Sequence, residues 1–454
     1  MPRSFRLRLS PLLGAALFAI ALPAAARTDL LGALEAAEQS DPVYREAQAT
    51  ALATAEGIPQ ARAALWLPNI NFTGSITGVD QSVSGLSLGG SSSPSYVAKQ
   101  YRVNVAQPVY HHDRYVALRQ ADKRLQQAQF EVLAARQDLM LRVAQRYFDQ
   151  LAAHDNLQFA KAETESLRSQ LDQARQRFEV GLIAITDVQE AQAGFDRAQA
   201  AEISAENDIE NASEALREVT ANYDLDLAPL GEQLPLVVPE PLDIERWTAT
   251  ALEQNLSLSA ARMAAEIAHE EIRRQYAGHF PSLDIVGGHS FDKAGGRFGN
   301  SSVDQNDIGI QLTVPIYEGG QVASRTRAAE REDEATLERL EQTRRAVHRE
   351  TREAYLGVVT RISSVKALAQ AVVSSQTALD STRAGFEVGT RTAVDVVAAE
   401  RLLYQAKRDF ARARYDYIVQ TLRLKKAAGS LQPEDLAAAN SWLVSGGAAA
   451  PTSP

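Results

Sequence analysis

The sequence predicts a mainly α-helical chain with a small transmembrane β portion, and three observations carry that prediction. Apolar residues recur every seven positions over very long stretches, with Leu125, Val132 and Leu139 in one run and Val358, Val365, Val372, Leu379 and Phe386 in another. A sustained heptad means coiled-coil packing. Four short segments instead alternate apolar with polar residues, the period of a strand with one apolar face. Finally, the pattern occurs twice. Phe178-Glu179-Val180-Gly181 returns as Phe386-Glu387-Val388-Gly389, and Thr186-Asp187-Val188 is echoed by Val394-Asp395-Val396, both 208 positions later. Such self-similarity marks an internal duplication.

Composition narrows the function classes. None of the 454 residues is cysteine, which excludes disulfides, thiol catalysis and cysteine-ligated zinc or iron–sulfur centres, and a lipid-bearing N-terminal cysteine is not expected. Aromatics are only 6%, a composition that suits long rods better than a thick core. The net charge of -10 argues against a phosphate-binding face, so nucleic acid is not an expected partner.

At the N-terminus, Arg3, Arg6 and Arg8 precede an apolar run from Leu12 to Leu22 and then Pro23-Ala24-Ala25-Ala26. Residues 1–26 are therefore predicted to be a secretory signal peptide, with Arg27 beginning the mature chain. No transmembrane helix is expected after it, since no later segment has a long uncharged apolar run. Residues 27–227 form the first predicted repeat: a short helix, two strands and a long helical hairpin. One strand carries Ile70, Phe72 and Ile76, the other Tyr101, Val103 and Val105, with a Gly/Ser-rich loop from Gln81 to Ser95 between them. A proline-free helix then runs from about Asp113 to Glu179, which at 1.5 Å per residue reaches about 100 Å. Gly181 ends it, and Thr186 with Gln189 is expected to cap the returning helix.

Pro229, Pro235, Pro239 and Pro241 mark a connector over residues 228–242. The second repeat, residues 243–429, has Leu283 and Ile285 on one strand and Ile308, Ile310, Leu312 and Val314 on the next, around a loop from Lys293 to Gln305. Its hairpin turns at Gly389, and Thr392 with Asp395 fits a capping box. Residues 430–454 are expected to be a C-terminal equatorial segment followed, past Leu443, by a disordered tail.

Strands of about ten residues suit a transmembrane barrel wall, which needs roughly 9 to 11. Four cannot close a barrel, and an open edge in lipid leaves backbone groups unpaired, so the chain must assemble with copies of itself. Pro108 and Pro315 are expected to end strands where they join helices, placing Trp66, Tyr110 and Tyr317 as an aromatic belt at the lipid surface.

Phe178 to Gln189, Gly278-His279-Phe280-Pro281-Ser282-Leu283-Asp284, Pro315-Ile316-Tyr317-Glu318-Gly319-Gly320 and Gly389 to Val396 resemble the TolC-type outer membrane efflux proteins, and the likeness covers nearly all of the mature sequence. The resemblance implies an outer membrane homotrimer whose twelve-stranded barrel continues into a periplasmic tunnel of twelve helical strands. It also implies a periplasmic adaptor and an inner membrane transporter docking at the tip to export small toxic compounds, proteins or both. By the same resemblance the tip is closed by bonds between hairpins: Arg391 would pair with Thr186, Asp187 and Gln170, and Asp395 would form an acidic ring at the narrowest point. Two departures are visible. Phe386 stands where the family often has tyrosine, so a hydroxyl bond to Asp187 is lost, and Ala398 stands where a second acidic ring would follow.

No catalytic constellation is present. The seven histidines form no H-E-x-x-H, and neither a phosphate-binding G-x-x-x-x-G-K-[ST] nor a nucleophile G-x-S-x-G occurs. The chain is expected not to be an enzyme and to need neither cofactor nor metal. His111-His112 is a weak metal candidate, because neighbours in sequence rarely face one ion. The alternatives are a periplasmic adaptor, which has one helical hairpin rather than two, and a structural coiled-coil protein, which would have no strands.

Overall fold

The computed structural model describes residues 27–80, 95–223, 226–295 and 300–444. The expected signal peptide, loop residues 81–94 and the tail past Val444 lie outside the described residues. Three short helices, α1 (Leu30–Ser40), α2 (Pro42–Ala55) and α3 (Gly57–Trp66), lead into strands β1 (Asn69–Asp80) and β2 (Ser95–Tyr110). The long helix α4 (His112–Glu179) returns as α5 (Ile185–Thr220). The second half repeats the order with α6 (Ile244–Gln254), α7 (Leu256–Tyr276), β3 (Ser282–Ala294), β4 (Ser301–Thr313), α8 (Gln321–Glu387) and α9 (Ala393–Ala427), and closes with α10 (Pro433–Asn440).

The strands form one antiparallel sheet in the order β1-β2-β3-β4, so β1 and β4 are both open edges. Register fixes two faces. Ile70, Phe72, Val103, Val105, Ile285, Ile308 and Ile310 share one, while Asn71, Thr73, Arg102, Asn104, Asp307 and Gln311 share the other. On the apolar face Ile308 is 86% exposed, which no water-facing sheet of this size would tolerate.

The strands are longer than the ten residues expected, at 12, 16, 13 and 13. The loop expected from Lys293 to Gln305 is correspondingly shorter, because Lys293, Ala294 and Ser301 to Gln305 are all paired. Their polar character hid them: beyond the apolar band the backbone ladder continues without an apolar face. Pro108 does not end its strand either. It stays paired with Asp284, and a register irregularity between Pro108 and Tyr110 accommodates the missing donor.

The long helices carry the sheet on a rod whose main core lies at its middle. Leu139, Met140, Val143, Tyr147 and Phe148 of α4 meet Val358 and Ile362 of α8 and Tyr415, Tyr417 and Ile418 of α9. Both ends of the described residues are tied there, since Thr28 bridges to Leu227 and Leu443 to Leu230. Tyr147 Oη donates to Thr28 O at 3.1 Å and Ala228 O at 3.0 Å, joining the first helix run to the connector. Between α4 and α7, Gln120 Nε2 donates to Glu271 Oε2 at 3.0 Å. Burial pushes the Glu271 carboxyl up, but bonds from Arg274, Gln120 and Gln275 outweigh it and hold the group below its usual range.

One window of α8 is long and apolar enough to cross a membrane by length and composition alone, although Arg361 and Lys366 interrupt the apolar stretch of this helix. Its inward stripe, Val358, Ile362 and Val365, is buried against the neighbouring rods, and Val359 and Val373 face outward. It is a coiled-coil helix with a second apolar face.

Candidate functional site

Far from the sheet, both hairpins turn through the same glycine device. Gly181 and Gly389 adopt φ of 76° and 77°, the left-handed region that a side chain makes strained. Gly181 N–H donates to Phe178 O at 2.9 Å and Leu182 N–H to Arg177 O at 2.9 Å. In the second turn Gly389 N–H reaches Phe386 O at 3.1 Å and Thr390 N–H reaches Gly385 O at 2.8 Å. These bonds satisfy carbonyls that a bare helix end would leave orphaned.

The returning helices start differently. Thr392 Oγ1 accepts from Asp395 N–H at 3.3 Å while Thr392 N–H donates to Asp395 Oδ2 at 2.9 Å, a complete capping box. In the first hairpin the cap falls on Ala184 rather than Thr186, which lies inside the first turn of α5. Ala184 has no side-chain acceptor, so only the reverse bond forms, from Ala184 N–H to Asp187 Oδ2 at 3.3 Å. Asp187 and Asp395 are thus both held at helix N-termini, where the positive dipole end favours a carboxylate. The Thr392 backbone and hydroxyl bonds hold the Asp395 carboxyl below its usual range.

Arg391 donates its own N–H to Gly385 O at 3.2 Å, and its guanidinium forms no ion pair with Asp187 or bond to Thr186 or Gln170 among the described residues. What joins the two hairpins inside one chain is a set in which Gln170 and Phe386 take partners other than those expected, together with Glu400, Ser166, Arg383 and Arg177, which the sequence did not single out. Glu400 of α9 is 1% exposed, and accepts from Ser166 Oγ and Gln170 Nε2 of α4 and from Arg383 Nη2 of α8, the last at 3.1 Å. Further from the turns Arg408 Nη1 donates to Glu163 Oε2 at 2.8 Å. Nearer the turns the Arg177 guanidinium lies 5.0 Å from the centre of the Phe386 ring, so Phe386 acts as a cation–π acceptor in place of a hydroxyl donor. A cavity of about 280 Å³ opens between the hairpins, lined among others by Gln170, Arg177, Asp187, Arg383 and Phe386.

A signal for Glu400 did exist. Val396, Glu400 and Leu403 follow the i, i+4, i+7 spacing of a buried stripe, so an acid there needs partners. Glu163, between Ala160 and Leu167, repeats the pattern on α4. The histidine pair diverges: His111 Nε2 meets Asp284 Oδ1 at 2.9 Å, whereas the His112 ring packs edge-on against Phe280 at 4.9 Å.

Over residues 33–222 and 247–430 the chain matches the family described as outer membrane efflux protein. The chain belongs to that family. Outer membrane protein TolC of Vibrio cholerae is 38% identical over 413 residues, 90% of this chain and 92% of that one. Alkaline protease secretion protein AprF of Pseudomonas aeruginosa is 30% identical, covering 78% of this chain and 73% of its own length. Among solved structures, the Campylobacter jejuni CmeC outer membrane channel superposes with a TM-score of 0.78 over 97% of this chain and 98% of that one, at 16% identity. This efflux protein therefore has the fold of the trimeric channel-tunnels, mostly helical with four antiparallel strands per chain and a tunnel reaching into the periplasm. It is an outer membrane export channel, and the adaptor alternative is not favoured.

Proposed function

We propose that this channel carries small toxic compounds and proteins out through a tunnel that opens at the hairpin tips, and that it performs no chemistry of its own. The observation that carries the reading is the continuity between a lipid-facing sheet with two open edges and rods of 68 and 67 residues that end in matched turns. Energy then comes from an inner membrane transporter, joined through a periplasmic adaptor. The turns suit such docking: Val180 and Leu182 of the first turn and Val388 of the second are 70%, 73% and 75% exposed at the extreme end of the molecule.

In the closed trimer Arg391 reaches Thr186, Asp187 and Gln170 across the boundary between chains, while three copies of Asp395 surround the axis. Among the described residues of one chain the Arg391 guanidinium makes no hydrogen bond to Asp187, Thr186 or Gln170, while Asp187 and Asp395 are bound at their own helix starts, and this supports the division. A strain lacking the gene, scored together for drug sensitivity and for loss of secreted proteins, tests the function. Unchanged sensitivity with intact secretion overturns it. Arg391→Ser tests the gate, with raised single-channel conductance in a planar bilayer expected and unchanged conductance counting against it.

A further inference from the structure

The sheet carries a basic feature that transport does not use. Lys99 of β2 and Lys293 of β3 occupy directly facing positions, and both are exposed. Alternation places them on the apolar face, in one row with Ile76 of β1 and Ser302 of β4. Like charges facing each other across a ladder are destabilising unless something anionic lies between them. Nothing among the described residues serves. Among the described residues neither lysine has an ion-pair partner; Asp304, on the same face, approaches His289 at 3.5 Å, and Asp80 is paired two rows further out, opposite Ser95.

The height of this row is decisive. From Leu283, beside the helices, to Lys293 the strand advances ten residues, about 33 Å along its axis and about 25 Å along the membrane normal at a tilt near 40°. That matches the apolar band of a barrel, so Leu283 marks its inner edge and Lys293 its outer one. Directly inside the row Tyr101 and Phe291 stack with ring centres 6.2 Å apart, in the position of an interfacial aromatic girdle. The lysine stems can lie along these rings while their ammonium groups reach the headgroup layer.

We propose that Lys99, Lys293 and Ser302 form a site for the phosphate of an anionic lipid headgroup in the outer leaflet, one per chain. Two ammonium groups and a hydroxyl on adjacent strands supply converging donors, and the Tyr101–Phe291 pair supplies an apolar floor for the first segment of the acyl chains. The lipid would thereby neutralise the lysine pair and brace the β2–β3 junction.

Purified trimer in neutral detergent is titrated with a diphosphorylated glycolipid, its dephosphorylated form and inorganic phosphate, with bound mass read by native mass spectrometry. Up to three phosphorylated lipids per trimer are expected. The Lys99→Gln/Lys293→Gln variant should lose about tenfold or more in apparent affinity, while Lys99→Arg/Lys293→Arg retains binding. Both variants must remain trimeric and conduct as the original does, which separates lost binding from misfolding. Equal binding of the dephosphorylated lipid, or undiminished binding by the glutamine variant, overturns the site. Inorganic phosphate binding without preference for the lipid overturns its assignment to a headgroup.

Discussion

Glu400 joins the two hairpins of a single chain by hydrogen bonds near the tip, and its chemistry sets an expectation. Glu400→Ala leaves Ser166 and Gln170 without their acceptor, while Arg383, 46% exposed, can turn to water. The loss should be about 1–3 kcal/mol, read as a lowered melting temperature, and conductance should rise as the hairpins separate. Unaltered conductance at reduced stability would show that the cluster holds the rods together without setting the opening. Asp395 allows a sharper test. A carboxyl whose pKa is depressed in the folded chain stabilises above its unfolded pKa, and that contribution disappears only as pH falls through the lower, folded value. Trimer repulsion alone would favour early protonation, but the cap bonds oppose it. Block by a trivalent cation added from the periplasmic side should therefore persist at about pH 5, and Asp395→Ala should abolish it. Loss of block in the original channel at that pH would mean that repulsion prevails. The sequence made the Thr392–Asp395 cap and the turn glycines legible because glycine and capping residues act locally. Glu400 was harder to see, since its role depends on what α4 places opposite it.

At the scale of elements, the rods are thickly packed at the middle and thinly at the tips. The central cluster gathers aromatic residues from α4, α8 and α9, whereas near the turns only Leu171, Ala174 and Ala191 form one small cluster and Leu379, Val396 and Leu403 another. Movement at the tip therefore disturbs little buried surface. The turns must keep their shape meanwhile. Gly389→Ala puts a side chain at φ of 77° with nothing within 4 Å to clash, so the cost is backbone strain alone, about 1–2 kcal/mol. Faster limited proteolysis at the second turn is expected, with the central core unaffected; no change would mean the turn is held by its neighbours. Helices and strands were readable from their periods of 3.5 and two. Strand ends were not, because Ser301 to Gln305 pair without an apolar pattern, and Pro108 was misplaced because a strand can bulge around it.

The whole molecule is incomplete as a single chain: β1 and β4 leave backbone edges open, and Ile308, Leu133 and Val373 face outward from sheet and rods. Assignment of the two sheet faces can be tested by a pair of charges. Ile308→Arg, near the middle of the apolar band, should cost about 2–4 kcal/mol and reduce trimer recovered from the membrane, whereas Gln311→Arg on the polar face should assemble and shift ion selectivity. The reverse result would exchange lipid and lumen. The order in which the structure can form follows from the sheet. Each helical hairpin joins neighbours in sequence and can close early, but β2 meets β3 across roughly 180 residues of intervening chain, a loop whose closure comes late. Until synthesis has passed β4, the first two strands are an amphipathic hairpin with both edges unpaired, in an aqueous compartment rather than in lipid. Export thus delivers a chain whose rods can be finished before its membrane wall exists, and escort during that interval becomes a requirement of its biogenesis.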